Sequence, residues 1–396
     1  MKRSVLPGGF SPTFYLAFLS AFLVFTSGHL LLTPLPLHIE RMGGGPPEVG
    51  LSGTAFALSA VAVRPFMGRL TDTQGRKVTL LIGAVLFILA PLGYATSRSI
   101  PMILGSRTLH GMGIAAFTTA YGALLVDVTP RERWGEALGI GGIAGSLSIM
   151  LGSPIGTSLL NHTSFQTVCL IAAATATFSL AVTLLLREPA RETAAPTKSG
   201  PADASTLELI RKRGILIPSL ATLTLGLAHG TTNAFLPLFG RDRGLGNVGF
   251  FFTAKNVAAI PSRSAAGRLS DRFGRVAVIL PLFAVLAVGY MGLNWTYSFG
   301  MLLAMAAIQG VGFGGVRVGM ETMVVDAAPA RLRGTAYGFL YFCFDSGIAA
   351  GSILTGLLAA FTGYGTLYVL VGVLCLLTAG AFSVLMQRPT PAGEEA

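Results

Sequence analysis

The sequence has little charge and few cysteines for its length. Of its 396 residues, 11% are charged, 52% are hydrophobic and 3 are cysteines. Soluble domains average about 25% charged residues, so this composition indicates a membrane protein. An odd number of cysteines, all within apolar runs, does not suit a disulfide framework. No glycine-rich loop ends in Lys-Ser or Lys-Thr, which argues against an ATP-driven motor.

Acidic residues are also scarce, at 17 against 28 lysines and arginines, for a net charge of +11. In a soluble protein this excess would suggest a nucleic-acid partner, but its distribution argues against one. Nineteen basic residues lie in the tails, the central linker and the loops of one side, and five lie within apolar runs. The other side has four, Arg41, Arg98, Arg241 and Arg243. The positive-inside rule therefore predicts cytoplasmic termini in an inner (cytoplasmic) membrane.

Long apolar segments recur along the whole chain. About 20 apolar residues cross the hydrocarbon core as a helix, whereas outer-membrane strands are short and alternating. The first segment continues to Pro36 without a cleavage site, so we expect it to be retained. The pattern predicts an all-α, multi-pass protein with twelve transmembrane helices, at 13–37, 49–69, 78–96, 102–126, 137–160, 165–186, 215–239, 248–268, 276–295, 299–325, 336–361 and 367–386.

Two loops carry the same motif. Segment 68–76 reads GRLTDTQGR and segment 267–275 reads GRLSDRFGR, an offset of 199, the difference between 68 and 267. The same offset relates Asp127 to Asp326. Each copy contains six predicted spans, an even number, so the copies are parallel and pseudo-symmetric. We expect six-helix bundles at 1–186 and 214–396, joined by a cytoplasmic linker at 187–213.

These motifs resemble those of the major facilitator superfamily, over nearly the whole chain. Its loop motif between the second and third helices is matched by Gly68, Leu70, Asp72, Gly75, Arg76 and Lys77. Its fourth-helix motif is matched by Arg107 and Gly111, with His110 where glutamine is usual. The resemblance implies a transporter rather than an enzyme, without a cofactor. It also implies rocking-type alternating access around a cavity lined by the first, fourth, seventh and tenth helices.

The repeated motif is the predicted gate. We expect Asp72 to follow the end of the second helix, and the family pattern places it against the start of the eleventh, where the macrodipole favours an anion. Arg76 would then bridge Asp72 to Asp127. The alternative is that these charges only set topology. The complete predicted gate consists of Gly68, Asp72, Gly75, Arg76, Asp127, Gly267, Asp271, Gly274, Arg275 and Asp326.

Charges inside the spans mark a candidate substrate or proton site, because each costs about 3 kcal/mol to insert. Spacings of three and four place Arg107 with His110, and Arg317 with Glu321, on single helix faces. Asp345 in the eleventh helix should lie at a depth similar to that of Arg317. A buried structural pair of Arg317 with Asp345 or Glu321 is one interpretation, and a substrate or proton site is the other.

Further candidates are polar residues in other spans. His29 lies in the first helix, and His229 with Asn233 lies in the seventh; lone histidines are equally consistent with core packing. Lys255 in the eighth helix is a possible partner for Asp345. Two histidines without a cysteine or carboxylate cluster do not suggest a metal site, so we expect none.

The preferred function is proton-coupled export of a small organic or amphipathic solute by a monomer in the bilayer, with protons carried by Asp345 or Glu321. The excess of cations in the cavity set favours anionic or zwitterionic solutes. Proton-driven drug exporters of the superfamily usually carry Gly-Pro-x-x-Gly in the fifth helix, whereas residues 152–156 read GSPIG. The alternatives are a proton-linked importer of a sugar or organic acid and, less favoured, a nontransporting sensor or lipid-handling protein.

Overall fold

The chain is almost entirely helical. A computed structural model describes residues 9–188, 204–329 and 332–387, and within these ranges it contains thirteen α-helices, one short 3-10 turn at Arg131–Arg133 and no strand. Ten of these helices are long and apolar enough to cross a membrane. The predicted all-α membrane fold is thereby confirmed.

The first half contains seven helices, α1 to α7. They are α1 (Pro12–Leu30), α2 (Pro34–Arg41), α3 (Pro46–Thr73), α4 (Arg76–Thr96), α5 (Ile100–Asp127), α6 (Trp134–His162) and α7 (Phe165–Leu184). The first predicted span, at 13–37, lies within a segment long and apolar enough to cross a membrane, Pro12–Arg41, but the chain turns between α1 and α2. Pro34 and Pro36 have no N–H to donate to the preceding turn, which ends the helical ladder.

The second half contains α8 to α13. They are α8 (Ala204–Arg211), α9 (Arg213–Asp242), α10 (Gly249–Phe273), α11 (Arg275–Leu293), α12 (Phe299–Ala327) and α13 (Arg333–Gln387). The last two predicted spans both fall within the 55 residues of α13, which is interrupted by non-helical backbone at Gly363, where φ is 76°. Glycine tolerates this positive φ because it has no Cβ. Helix α13 therefore supplies two spans.

Helix α10 is the least apolar of the predicted spans and is not among the ten. It carries Lys255, Arg263, Arg268, Asp271 and Arg272 within 25 residues. At the offset of 199 it is nevertheless the counterpart of the spanning helix α3. Counting α13 twice and adding α10 to the ten gives the twelve spans that the sequence predicts.

The described residues divide into two compact units. The first contains the described residues up to 188 together with 247–253, and the second contains the others. Most of the predicted linker, at 189–203, lies outside the described residues, and its following part forms α8. The short segment 247–253, at the start of α10, is grouped with the first unit although it follows the seventh predicted span.

Candidate functional site

The first copy of the repeated motif contains a bridging arginine at the start of α4. The Arg76 guanidinium donates from Nε to Asp127 at 2.8 Å and from Nη1 to Asp72 at 3.1 Å. It also donates to the Thr71 carbonyl at 2.8 Å. Asp72 lies inside the last turn of α3, so the expectation that it follows the helix end is wrong. The expected bridge is present, whereas its gating role stays a prediction.

The loop around Gly75 is held to the end of α7 by residues that were not among the predicted gate residues. The Lys77 ammonium donates to the Leu184 and Leu186 carbonyls at 2.6 and 2.9 Å, and the Lys77 amide donates to Glu188. Gly75 has φ 116°, and an added Cβ would lie 2.8 Å from a Glu188 carboxylate oxygen. Glycine is therefore required there by backbone conformation, whereas the Glu188 carboxylate, at the end of a flexible side chain, would only have to shift.

The second copy builds a similar bridge. Arg275 donates to Asp271 at 2.7 Å, to Asp326 at 3.2 Å and to the Ser270 hydroxyl at 2.6 Å. Gly274 has φ 89°, and an added Cβ would meet no atom within 4 Å. The remaining predicted gate glycines, Gly68 and Gly267, are also in open space. The charged network is thus repeated, whereas the close packing around its glycine is not.

In the first unit, a cluster of aromatic and basic residues joins α3, α4 and α5. The Arg107 guanidinium lies 4.5 Å from the centre of the Phe56 ring, and its Nε is 3.4 Å from the Ser52 carbonyl. His110 is buried, and its Nδ1 lies 3.2 Å from the Tyr94 hydroxyl. Its Nε2 has no hydrogen-bond partner among the described residues. His110 thus has one buried ring nitrogen whose hydrogen-bonding capacity is unused by the described residues.

His29 approaches this cluster from α1. An added Cβ at Gly28, its neighbour in the chain, would lie 3.4 Å from Nε2 of His110. The His29 Nδ1 is 2.9 Å from the Ser148 hydroxyl of α6. The structure thus brings His29, Arg107 and His110 into one region of the first unit.

In the second unit, Arg317 and Glu321 form an ion pair on α12. The Arg317 Nε donates to Glu321 at 3.0 Å, and both side chains are about one-quarter exposed, at 24% and 23%. The Tyr341 hydroxyl of α13 accepts from Arg317 at 2.9 Å and donates to Glu321 at 3.3 Å. A cavity of about 10 Å³ beside the pair is lined by Thr222, Arg317, Glu321, Leu340, Tyr341 and Phe344. That volume is near the minimum for one water molecule.

Lys255 lies at a separate position in the second unit. Its side chain is 4% exposed, and its ammonium is 4.8 Å from the Phe313 ring centre and 6.0 Å from that of Tyr290. The ammonium has no hydrogen-bond partner among the described residues, so no hydrogen bond joins it to Asp345, the possible partner that the sequence suggested. It interacts with aromatic faces instead.

The remaining candidates lie on α9 and α13. His229 stacks on Phe313 at 5.6 Å and lies 5.8 Å from Phe344, ring centre to ring centre. Asn233 follows one turn later, and its Oδ1 is buried without a partner among the described residues. Asp345 is half-buried in α13. In the described part of the chain, no group of three His, Cys, Asp or Glu side chains is arranged for a metal ion.

Comparison with known proteins places this geometry among transporters. The Major Facilitator Superfamily model matches residues 17–262 and 246–396. The multi-drug resistance efflux pump PmrA homolog of Lactococcus lactis is 25% identical, over 88% of this chain and 89% of that protein. The multidrug resistance protein MdtG of Serratia proteamaculans is 27% identical, over 96% of this chain and 95% of its own length.

Two solved structures have the same fold. The nucleoside transporter NupG has a TM-score of 0.81 at 13% identity, covering 96% of this chain and 100% of that one. The human organic anion transporter MFSD10 (TETRAN) has a TM-score of 0.70 at 20% identity, covering 93% and 98%.

Proposed function

Since this chain belongs to the Major Facilitator Superfamily and is a transporter, we propose that it exports small organic or amphipathic solutes in exchange for protons. Export is supported by the PmrA homolog, which is named as a multi-drug resistance efflux pump. The MdtG relative is named as a multidrug resistance protein, and both match this chain almost end to end. We place the protein in the inner membrane as a monomer with both termini in the cytoplasm.

The observation that carries the proposal is the Arg317–Glu321–Tyr341 cluster. A carboxylate within a spanning helix is costly unless it has a function or a partner, and Glu321 has a cation, a phenol and space for a water. A water molecule in that cavity would let Glu321 exchange protons, and a nearby cation generally favours the charged form of a carboxylate. If alternating access changes the distance from Glu321 to Arg317, proton affinity differs between states and a gradient drives the cycle. Asp345 is the second candidate carboxylate.

We assign solute binding to the polar groups of each unit. In the first unit these are His29, Arg107 and His110, and in the second they are His229, Asn233 and Lys255. The cations among them, with Arg317, outnumber the carboxylates Glu321 and Asp345. An anionic or zwitterionic solute would complement this charge.

The gate role of the two motif copies belongs to the same proposal. Arg76 and Arg275 each hold two carboxylates at the ends of helices, and these contacts can form in one state and break in another. A few kcal/mol is enough to depopulate one of two states.

Everted membrane vesicles test the proposal. With an imposed proton gradient, vesicles containing the protein should accumulate zwitterionic norfloxacin or anionic fluorescein and should discriminate against ethidium. Dissipating the gradient should stop the uptake. Uptake that ignores the gradient would refute proton coupling, and gradient-driven uptake only in right-side-out vesicles would favour an importer.

Topology has its own test. A Thr73→Cys thiol, in a chain lacking the three native cysteines, should resist an impermeant reagent applied to intact cells and react in everted vesicles. Labelling from outside intact cells would overturn the proposed orientation.

A further inference from the structure

An apolar groove lies between α10 and α11 in the second unit, with α12 as its floor. Its volume is about 690 Å³, and its walls include Ala258, Ala265, Ala277 and Pro281, with Val311 on the floor. Ligand pockets in proteins have volumes of about 300–1,000 Å³. The groove is therefore large enough to hold a ligand, and its lining selects an apolar one.

The groove runs along α10 and is long enough for the acyl chain of a lipid. Its α10 wall extends from Ala258 to Phe273, which is about 22 Å at 1.5 Å per residue and exceeds one leaflet of the hydrocarbon core. Leu269 and Phe273 on this wall are 46% and 58% exposed. Apolar side chains exposed on a spanning helix contact acyl chains, so we infer that the groove opens to the bilayer.

Two cations lie at the motif end of this groove. Arg268 and Arg272 are one turn apart on α10 and both exposed, and the Arg272 guanidinium is 5.2 Å from the ring centre of Phe273. The nearby Asp271 carboxylate is paired with Arg275. Neither Arg268 nor Arg272 forms an ion pair among the residues that the structure describes. The groove thus ends in positive charge available to an anion.

The first copy differs at the corresponding positions. At the offset of 199, Ala265 corresponds to Phe66, Ala277 to Val78 and Arg272 to Thr73. The smaller wall residues and the additional cation therefore occur only in the second copy of these positions. They are not part of the motif that the two copies share.

We propose that this groove binds an anionic phospholipid, with one acyl chain between α10 and α11 and the phosphate at Arg268 and Arg272. The charge complementarity selects a headgroup with net negative charge, and the predicted cytoplasmic position of this end places both arginines at headgroup level. The proposal does not depend on the transported solute or on proton coupling.

Native mass spectrometry of the purified full chain tests it, with equimolar phosphatidylglycerol and phosphatidylethanolamine as probes. Wild type should retain phosphatidylglycerol preferentially. Arg272→Thr, which introduces the first-copy residue, should reduce this preference about fivefold, the factor expected for about 1 kcal/mol per basic residue. Arg69→Ala, which removes a comparable charge from the first copy, is the matched control and should leave the preference unchanged.

A second variant tests the groove itself. Ala265→Phe with Ala277→Val introduces the larger first-copy residues and should abolish lipid retention while thermal unfolding stays near that of wild type. Undiminished retention in this filled variant would overturn the proposal, as would the absence of a headgroup preference in wild type. If the filled variant does not fold, an unchanged preference in Arg272→Thr would still refute the assignment.

Discussion

The two halves differ at the positions of the Arg317–Glu321–Tyr341 cluster. At the offset of 199, Arg317 corresponds to Thr118, Glu321 to Gly122 and Tyr341 to Gly142. The Thr118 hydroxyl donates a hydrogen bond to the Ile114 carbonyl of its own helix at 2.7 Å. The first half therefore builds the same helices without the ion pair. This difference indicates that the Arg317–Glu321–Tyr341 cluster is not needed for the fold.

The opposite asymmetry appears on α5 and α12. His110 corresponds to Gln309, whose side-chain amide donates to the Gly289 carbonyl at 3.1 Å, and Arg107 corresponds to Ala306. The first half thus carries its cation and histidine where the second half has a packing contact. Each half keeps the shared scaffold and places its polar chemistry at different positions.

Replacing Glu321 should have the largest effect on transport. Glu321→Gln keeps the shape and a hydrogen-bond acceptor for Arg317 but removes the titrating group, so gradient-driven transport should fall by at least about tenfold, or about 1.4 kcal/mol. The vesicle assay with an imposed pH gradient measures this. Asp242→Asn, at an exposed ion pair with Arg241, is the control and should transport normally. Full gradient-driven transport in Glu321→Gln, and likewise in Asp345→Asn, would leave neither carboxylate as the coupling site.

Next in size is the difference between the two gates. Asp72→Asn should reduce transport strongly at normal expression, because it removes one of the two carboxylates held by Arg76. Asp271→Asn should have a smaller effect, since its copy of the loop lacks the packing against Glu188. Initial transport rates at matched protein levels compare the two. If both variants transported at the wild-type rate, the motif would have no gating role and would only set the topology.

Substitutions of the two loop glycines should differ in their effect on protein stability rather than on transport. Gly75→Ala is strained by its positive φ and meets Glu188, so we expect a loss of about 1–3 kcal/mol. Gly274→Ala is strained only by φ, because the space beside it is open, and should cost less. Thermal unfolding in detergent measures both, and an equal cost would show that Glu188 does not constrain Gly75.

The smallest effect concerns Lys77, whose counterpart at the offset of 199 is Val276. Lys77→Val removes two hydrogen bonds, to the Leu184 carbonyl at the end of α7 and to the Leu186 carbonyl just beyond it, and should destabilise the protein by about 1 kcal/mol, given partial exposure. Val276→Lys is the reciprocal control. We expect a fall of about 2 °C in the unfolding midpoint for the first variant alone. An unchanged midpoint would mean that the contacts contribute no net stability.

Local spacing predicted much of the site. The i, i+4 relation anticipated the Arg317–Glu321 pair, and the repeated motif anticipated the bridges of Arg76 and Arg275 to the acids at helix ends. These contacts depend on residues close together on one helix or on helix termini joined by a short loop. The fold class followed from apolar segments of membrane-spanning length.

Contacts between distant segments were not predictable from spacing. Tyr341 reaches Glu321 from another helix, and Glu188 reaches Lys77 across 111 residues. No periodicity encodes either contact. The sequence also left the partner of Lys255 open, because packing of α10 against aromatic residues decides it. A groove formed by absent side-chain volume at Ala265 and Ala277 becomes visible only when helices are assembled.

The central claim is that the charged cluster of the second half serves transport while the fold does not need it. The most direct test replaces Arg317 and Glu321 together with their first-half counterparts, as Arg317→Thr with Glu321→Gly, and measures thermal unfolding and gradient-driven uptake on the same preparation. We predict that uptake is lost. The free energy of unfolding should fall only by the cost of placing glycine in a helix interior, about 1 kcal/mol, with a correspondingly small decrease in the unfolding midpoint. Uptake that survives, or a protein that fails to fold, would contradict the account.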